Sequence, residues 1–435
     1  MQKLFFHIKQ NPSFWVVVLL CNLLLMSACS SSKNLKLRNT IHEKLSTKSH
    51  ENHFIGLKIV DPSNGRVLFQ ENADKYFTPA SNTKIFTLFT ALRLLPDSIP
   101  TAKYYTNGDS IFIFPLGDPT QLHPYFKDST LIKAISKYNH SLIYFDHFTE
   151  DQYGPGWAWE DYDQYFSPER SVLPLYGNVV TISTDSFAAI SPSIFEVFPQ
   201  KKEQSVHRNR YQNIFFKEDP DKALLEVPFI TSDSIYLKML KRASGSNCAL
   251  LTKFDTSNLS LLYSIPSDSL FRRMMHESDN FLAEQMMILS SSMVGQSLSV
   301  QKSIDYTLDS LLYDIPQRPR WVDGSGLSRY NLFTPSSIIY LLNELYLTLP
   351  KSRLFEFFPP AGESGTLKAR EPRTQDAYVF AKSGSLGNNY NLSGYLLTKS
   401  GKTLIFSYMN NHFRIPNSEI KSQIATLLKT LHETY

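Results

Sequence analysis

The sequence predicts an α/β (α+β) fold: an antiparallel sheet flanked by helices, interrupted by a large β-rich insertion. Three observations carry this. The chain has 435 residues, enough for more than one domain, and 42% are hydrophobic, enough for a substantial core. Strand-like runs bounded by turn residues occur toward both ends, beside long apolar helical runs. Between them the texture changes to short aromatic strands with many turns, in a chain that is 13% Phe, Trp and Tyr.

The elements follow in order. Residues 1–28 read as an export signal: Lys3 and Lys9 give a basic start, Phe14 to Leu25 is apolar, and Ser27 and Ala28 are small. The apolar stretch is short for a membrane span. Cys29 comes next, and 29–50 reads as a polar tether opening on Ser30-Ser31-Ser32-Lys33. Phe54–Val60 and Arg66–Glu71 read as a hairpin across Asp61-Pro62-Ser63-Asn64-Gly65. Thr78-Pro79-Ala80 precedes Ser81, and an apolar run from Ile85 to Leu95 follows. Ser81 is thereby placed in the opening turn of a buried helix that ends near Pro96. From 97 to 255, Ile111–Phe114 and Leu142–Phe145 read as strands and Lys201–Arg210 as a polar loop. Helical texture returns at Asp268–Ser292, Ser299–Tyr313 and Pro335–Leu347. Strands are expected at Tyr378–Ala381, Leu392–Thr398 and Thr403–Tyr408, then a helix from Ser418 to Glu433. Residues 51–96 and 256–435 therefore build one discontinuous unit, and 97–255 is the insertion.

Three short strings carry chemistry: Ser81-Asn82-Thr83-Lys84, Ser278-Asp279-Asn280 and Lys382-Ser383-Gly384. Together they supply a hydroxyl nucleophile, a lysine one helical turn behind it, a second hydroxyl with an amide, and a second cation. Other copies of Ser-x-x-Lys begin at Ser30, Ser299 and Ser418, but none follows a proline and opens a long apolar helix. A second Lys-Ser-Gly at Lys399-Ser400-Gly401 lies between two strands and reads as a hairpin turn. Residues three apart on a helix share a face, so Lys84 sits beside Ser81. A helix start also offers free N–H groups to developing negative charge. Ser278 and Asn280 are expected at a helix start or short loop, and Lys382 on a strand. Gly384 there would let a substrate backbone come close. A serine hydroxyl needs an adjacent base. A lysine, with a reference pKa of about 10.4, serves as one only when neutral. A facing lysine and burial both disfavour its charge, so Lys84 opposite Lys382 is suited to free one amine.

The ordered triplet is the signature of penicillin-binding proteins and serine β-lactamases. Further strings agree with one branch: Gly117-Asp118-Pro119-Thr120, Gly154-Pro155-Gly156-Trp157-Ala158-Trp159-Glu160-Asp161, Asp323-Gly324-Ser325-Gly326-Leu327-Ser328-Arg329 and Gly365-Thr366-Leu367. The whole mature chain resembles the penicillin-binding-protein-4-like D-alanyl-D-alanine carboxypeptidase/endopeptidase family, of the serine penicillin-binding protein superfamily. The long interval between Ser81 and Ser278 suits that branch, which carries inserted domains there. The third string has Ser383 where the family usually has threonine; the hydroxyl is kept. The resemblance implies a β-lactamase/transpeptidase-like sheet, Ser81 as nucleophile, Lys84 as its base, and Ser278 as proton relay to the leaving amine. It implies that Asn280 orients the peptide, that Lys382 holds Ser278 and attracts the terminal carboxylate, and that Ser383 hydrogen-bonds that carboxylate. The N–H groups of Ser81 and Ser385 would form the oxyanion hole. Peptidoglycan peptides are then the substrate and β-lactam antibiotics covalent inhibitors, with no cofactor.

Other features limit the function further. A net charge of +4, part of it from Lys3 and Lys9, gives no support to nucleic-acid binding. The 11 histidines show no metal-ligand spacing, so no metal is expected. Leu25-Met26-Ser27-Ala28-Cys29 resembles a bacterial lipobox, which implies lipidation of Cys29, a membrane anchor and a periplasm-facing protein of the bacterial envelope. Trp157 and Trp159 read as anchors of a loop, and Asp323, Ser325 and Ser328 as either a turn or neighbours of the site. Two other functions use the same residues. A β-lactamase would turn penicillin over rapidly, and a non-catalytic cell-wall binding protein would keep its phenotype after Ser81→Ala.

Overall fold

The computed structural model describes residues 38–45, 52–183, 190–200, 206–217, 224–254, 258–295, 297–368 and 377–435. The expected export signal and Cys29 lie outside the described residues. No helix among the described residues is long and apolar enough to cross a membrane.

The fold is mixed α/β, built on a five-stranded antiparallel sheet. Its strand order is Val379–Leu386, Asn389–Leu397, Thr403–Asn411, Phe54–Asp61 and Arg66–Glu71. Residues from both ends of the chain thus meet in one sheet, with Leu57 opposite Tyr408 and Lys382 opposite Ser393. All nine residues of the central strand Thr403–Asn411 are buried, because helices cover both faces. On one face, the Pro335–Thr348 helix packs over the strands that carry Tyr395, Ile405 and Met409, and the Lys84–Leu94 helix packs against that helix. The Pro335–Thr348 helix starts at a capping box, in which Ser337 N–H donates to the Thr334 side chain, with Pro335 at its first position. On the other face lies the C-terminal helix Asn417–Thr434, which buries Ile420, Ile424, Leu427, Leu428 and Leu431. Their three- and four-residue spacing makes one apolar stripe. Each contributes roughly 1.5–3 kcal/mol of gross burial energy, which holds this terminal helix on the sheet.

The middle of the chain forms a second five-stranded sheet, in the order Asn247–Leu251, His140–Tyr144, Ser110–Pro115, Ser98–Asn107 and Ser260–Pro266. The first three run parallel to one another, and the last two pairings are antiparallel. This sheet takes in Ser260–Pro266, a seven-residue strand that the sequence reading assigned to the other unit. A three-stranded sheet (Leu224–Pro228, Val179–Ser183, Ile190–Ser191) and a parallel pair (Glu196–Pro199, Ile214–Lys217) complete the middle region.

Several local expectations change. The helical stretch expected over Asp268–Ser292 is two helices, Ser267–Glu277 and Asn280–Ser291, broken at Ser278. The strand expected to stop at Ala381 continues to Leu386 and carries the whole Lys382-Ser383-Gly384 string. Within the polar stretch 201–210, of which 201–205 lie outside the described residues, Arg208 is buried. Its guanidinium donates to the carbonyls of Tyr162 and Asn209, at 3.0 and 3.1 Å. Composition showed the charge of that stretch but not the carbonyls waiting for it. The second Lys-Ser-Gly is indeed a turn, closed by Gly401 N–H donating to Thr398 O.

Candidate active site

Ser81 lies in a 3₁₀ turn, Ala80–Thr83, that leads directly into the Lys84–Leu94 helix. The turn is fastened to the large sheet by side-chain amides. Asn391 Nδ2 donates to Thr78 O and Pro79 O, at 2.9 and 2.8 Å, and Asn82 Nδ2 donates to Ser393 Oγ at 2.7 Å. Ala80 has φ 47°, a strained value for a residue with a Cβ, and its carbonyl accepts from Thr83 Oγ1 at 2.9 Å. The close approach of sheet to turn explains Gly384. A Cβ there would lie 2.6 Å from Pro79 O and 2.9 Å from the nitrogens of Ser81 and Asn82. Gly384 therefore makes room for the nucleophile's own turn, whereas the sequence reading had it making room for substrate.

Lys84 is fully buried. Its Nζ lies 3.0 Å from Ser81 Oγ, 2.7 Å from Asn280 Oδ1 and 2.7 Å from Ser325 O. The last two atoms are pure acceptors. A neutral amine has two N–H groups and one lone pair, so those acceptors take both N–H groups and leave the lone pair for the Ser81 O–H. Burial lowers the Lys84 pKa to about 8; the carboxylates of Asp323, Glu284 and Asp279 oppose the fall.

The second string adopts a cap-to-cap arrangement. Ser278 ends one helix in the left-handed conformation, φ 58°, and Asp279 caps the next by accepting from Leu282 N–H at 2.9 Å. This break turns the Ser278 hydroxyl toward Lys382, whose Nζ donates to Ser278 Oγ and to Ser383 O, each at 2.8 Å. Lys382 is fully buried and its pKa is held well below the usual lysine value, by burial first and by Lys84 second. Desolvation thus outweighs the repulsion between lysines on which the sequence reading leaned. Asn280 spends both ends of its amide on protein, since its Nδ2 donates to Phe166 O at 3.0 Å.

Sequence reasoning left Asp323, Ser325 and Ser328 open between a turn and the edge of the site, and it passed over Glu284 and Arg170, which support this centre. Ser325 contributes a backbone carbonyl, which no side-chain pattern reveals. Its loop is held by two buried carboxylates. Asp323 accepts from the N–H groups of Gly326 and Ser328, at 2.8 and 2.7 Å, from Asn331 Nδ2 at 2.7 Å and from Trp157 Nε1 at 3.0 Å. Burial and the Glu284 charge push its pKa up to about 6. Glu284 accepts from Ser325 N–H at 2.7 Å and pairs with buried Arg170 at 2.5 Å. A glutamate inside the apolar run Phe281–Leu289 was a signal in itself, since a buried carboxylate requires a partner. Trp157 is an anchor, as expected, while Trp159 is 63% exposed. Thr366 Oγ1 lies 2.8 Å from Ser383 Oγ on the wall of the site.

These groups open on one cleft of about 530 Å³, lined by Ser81, Ser278, Asn280, Ser383 and Ser385 among others. The eight intrachain residues expected at the site are therefore brought together: seven face one another or this cleft, and Gly384 lies behind the nucleophile. The arrangement suits acyl transfer through a serine ester.

A family model described as the D-Ala-D-Ala carboxypeptidase 3 (S13) family matches residues 37–214 and 249–431. A D-alanyl-D-alanine carboxypeptidase DacB of Haemophilus influenzae is 34% identical over 118 residues, 26% of this chain and 24% of that one. The aligned segment thus spans about a quarter of that relative's length. A penicillin-sensitive carboxypeptidase A of Dictyostelium discoideum is 22% identical over 438 aligned positions, 83% of each chain. Among solved structures, penicillin binding protein 4 from Haemophilus influenzae superposes with a TM-score of 0.69 at 20% identity, covering 88% of this chain and 96% of that one. A predatory peptidoglycan endopeptidase from Bdellovibrio bacteriovorus gives 0.50 at 15% identity, covering 87% and 93%.

Gly384→Ala should cost about 1–3 kcal/mol of stability, because the added methyl meets backbone that cannot move aside. Urea denaturation measures the loss. Unchanged stability, with full reaction at Ser81, would contradict the close approach described.

Proposed function

The chain belongs to the D-Ala-D-Ala carboxypeptidase 3 (S13) family of serine hydrolases, and on that premise we propose that it is a D-alanyl-D-alanine carboxypeptidase/endopeptidase acting on peptidoglycan stem peptides. The observation that carries the reading is Lys84 Nζ at 3.0 Å from Ser81 Oγ, with Lys382 holding Ser278 beside the same cleft. Neutral Lys84 takes the Ser81 proton as Oγ attacks the carbonyl of the penultimate D-alanine. The N–H groups of Ser81 and Ser385 bind the oxyanion, each worth about 3 kcal/mol of barrier. The C–N bond then breaks, and the proton reaches the leaving amine through the Ser278 hydroxyl. Lys382 and Ser383 hold the carboxylate of the leaving residue, and Asn280 keeps Lys84 aimed. Water attacks the ester, Lys84 again accepts a proton, and Ser81 is released with the shortened peptide. A β-lactam offers the same carbonyl, and its ring-opened leaving group stays attached, so it acylates Ser81 and persists. The relatives named for penicillin sensitivity and penicillin binding support that part of the reading.

Peptidoglycan substrate places the enzyme in the bacterial cell envelope. The lipobox-like Leu25–Cys29 string supports export and lipid anchoring through Cys29, with the enzyme facing the periplasm. Cys29→Ala should move the protein from the membrane fraction to the soluble fraction, and mass spectrometry of the wild-type amino terminus should find a diacylglyceryl cysteine. A wild-type protein without acyl chains would remove the anchor.

Fluorescent penicillin should label the wild-type protein and leave Ser81→Ala unlabelled, while the wild type releases D-alanine from a pentapeptide stem. Labelling of Ser81→Ala, or a wild type that neither releases D-alanine nor cleaves cross-linked muropeptide, would overturn the assignment. The base also fixes a pH dependence. Lys84 works neutral, so below its pKa of about 8 the acylation rate should rise roughly tenfold per pH unit and level off above it. Stopped-flow acylation between pH 5.5 and 9.5 measures this, and a flat profile between 6 and 8 would exclude Lys84 as the base.

A further inference from the structure

A second cavity adjoins the cleft. It has a volume of about 260 Å³ and lies in the angle between the edge strand Val379–Leu386 and the C-terminal helix. Thr366, Tyr390 and Lys421 line both spaces, so the two share a wall. Its chemistry differs from that of the cleft. The floor is aliphatic, from Leu367, Leu392, Ile424 and Leu428. Among the described residues, the charged side chains on its lining are Lys368 and Lys421, both exposed, and Lys421 lies 5.2 Å from the Tyr390 ring. The cleft, by contrast, carries acids on its lining, Glu226, Glu277 and Asp279, together with Arg273.

The direction of the substrate follows from Ser383. In the function proposed above, on which this inference rests, the carboxylate of the leaving residue lies at the Ser383 hydroxyl. Thr366 Oγ1 is 2.8 Å beyond that hydroxyl and stands at the entrance to the second cavity. A leaving group that is only D-alanine ends at Ser383. A leaving group that is a whole peptide continues past it. In cross-linked peptidoglycan that group is the diamino acid of a second stem, with an aliphatic chain and carboxylates. Methylenes match the aliphatic floor, and carboxylates match the two lysines that are the charged groups among its described lining residues.

We propose that this cavity is the subsite for the leaving stem of a cross-linked peptide, and that it directs the enzyme toward endopeptidase action. It takes no part in attack on the carbonyl. It lowers the free energy of binding only for substrates that extend beyond the scissile bond.

Two variants test this without touching the cleft. Ala425 is exposed on the C-terminal helix and lines only the second cavity, so Ala425→Trp fills it. Lys368→Glu reverses the charge at its rim. Each is assayed for kcat/KM on a cross-linked muropeptide dimer and on a pentapeptide monomer, with fluorescent penicillin labelling and thermal melting as checks of the fold. The expected result is a loss of about tenfold or more on the dimer, with monomer cleavage and labelling within about twofold of wild type. Equal effects on both substrates, or none in either variant, would overturn the subsite. If Ala425→Trp fails to fold, Lys368→Glu decides alone. A wild type inactive on both substrates would instead defeat the function proposed above, so the two failures are distinct.

Discussion

The burial of one amine organises this molecule. Lys84 has no access to water, and an ammonium there lacks the hydration that would keep it charged. Its three polar neighbours are two fixed acceptors and one hydroxyl, a set that a neutral amine satisfies completely. Nearby carboxylates keep the pKa from falling so far that the base becomes feeble. The site thus balances desolvation against Coulombic attraction, which leaves the lysine basic enough to accept a proton and neutral often enough to do so.

The acceptors are useful only if they stay in place, and much of the neighbouring architecture fixes them. Asp323 gathers four donors around the loop that carries Ser325, and Glu284 holds that loop's backbone from below. Both carboxylates are buried, and Arg170 offsets the charge of Glu284 through a 2.5 Å contact. The missing side chains matter as much. Gly384 and Gly326 let strand and loop close on the Ala80–Thr83 turn; at Gly326 a Cβ would fall 1.9 Å from Ala80 O.

Much of this was legible in the sequence because it is written in local pattern. The hairpin at Phe54, the proline before Ser81, the apolar helix after it and the strands near the carboxyl end all announce themselves through periodicity and turn residues. The three strings announced the chemistry. What escaped notice depends on contacts between distant segments. The sequence places Ser278 at a helix start or short loop, but nothing near it signals the left-handed backbone that aims its hydroxyl at Lys382. Ser325 stood among the candidates, but its role was hidden because it acts through a carbonyl that every residue possesses. Arg208 looked like part of a polar loop because its partners are backbone oxygens, one of them on Tyr162. The boundary drawn after residue 255 separated Ser260–Pro266 from the strand Ser98–Asn107 that it pairs with, because local pattern does not name a strand's partner.

The middle region reaches into the catalytic centre three times. Phe166 O accepts from Asn280, Trp157 Nε1 donates to Asp323, and Arg170 pairs with Glu284. All three come from the short stretch between Gly154 and Ser171. An appendage that hung loosely from an enzyme could be shortened or exchanged with impunity. Here, cutting away that stretch would unclamp the amide that steers Lys84 and strand a buried carboxylate, so the two halves of the chain are obliged to change together.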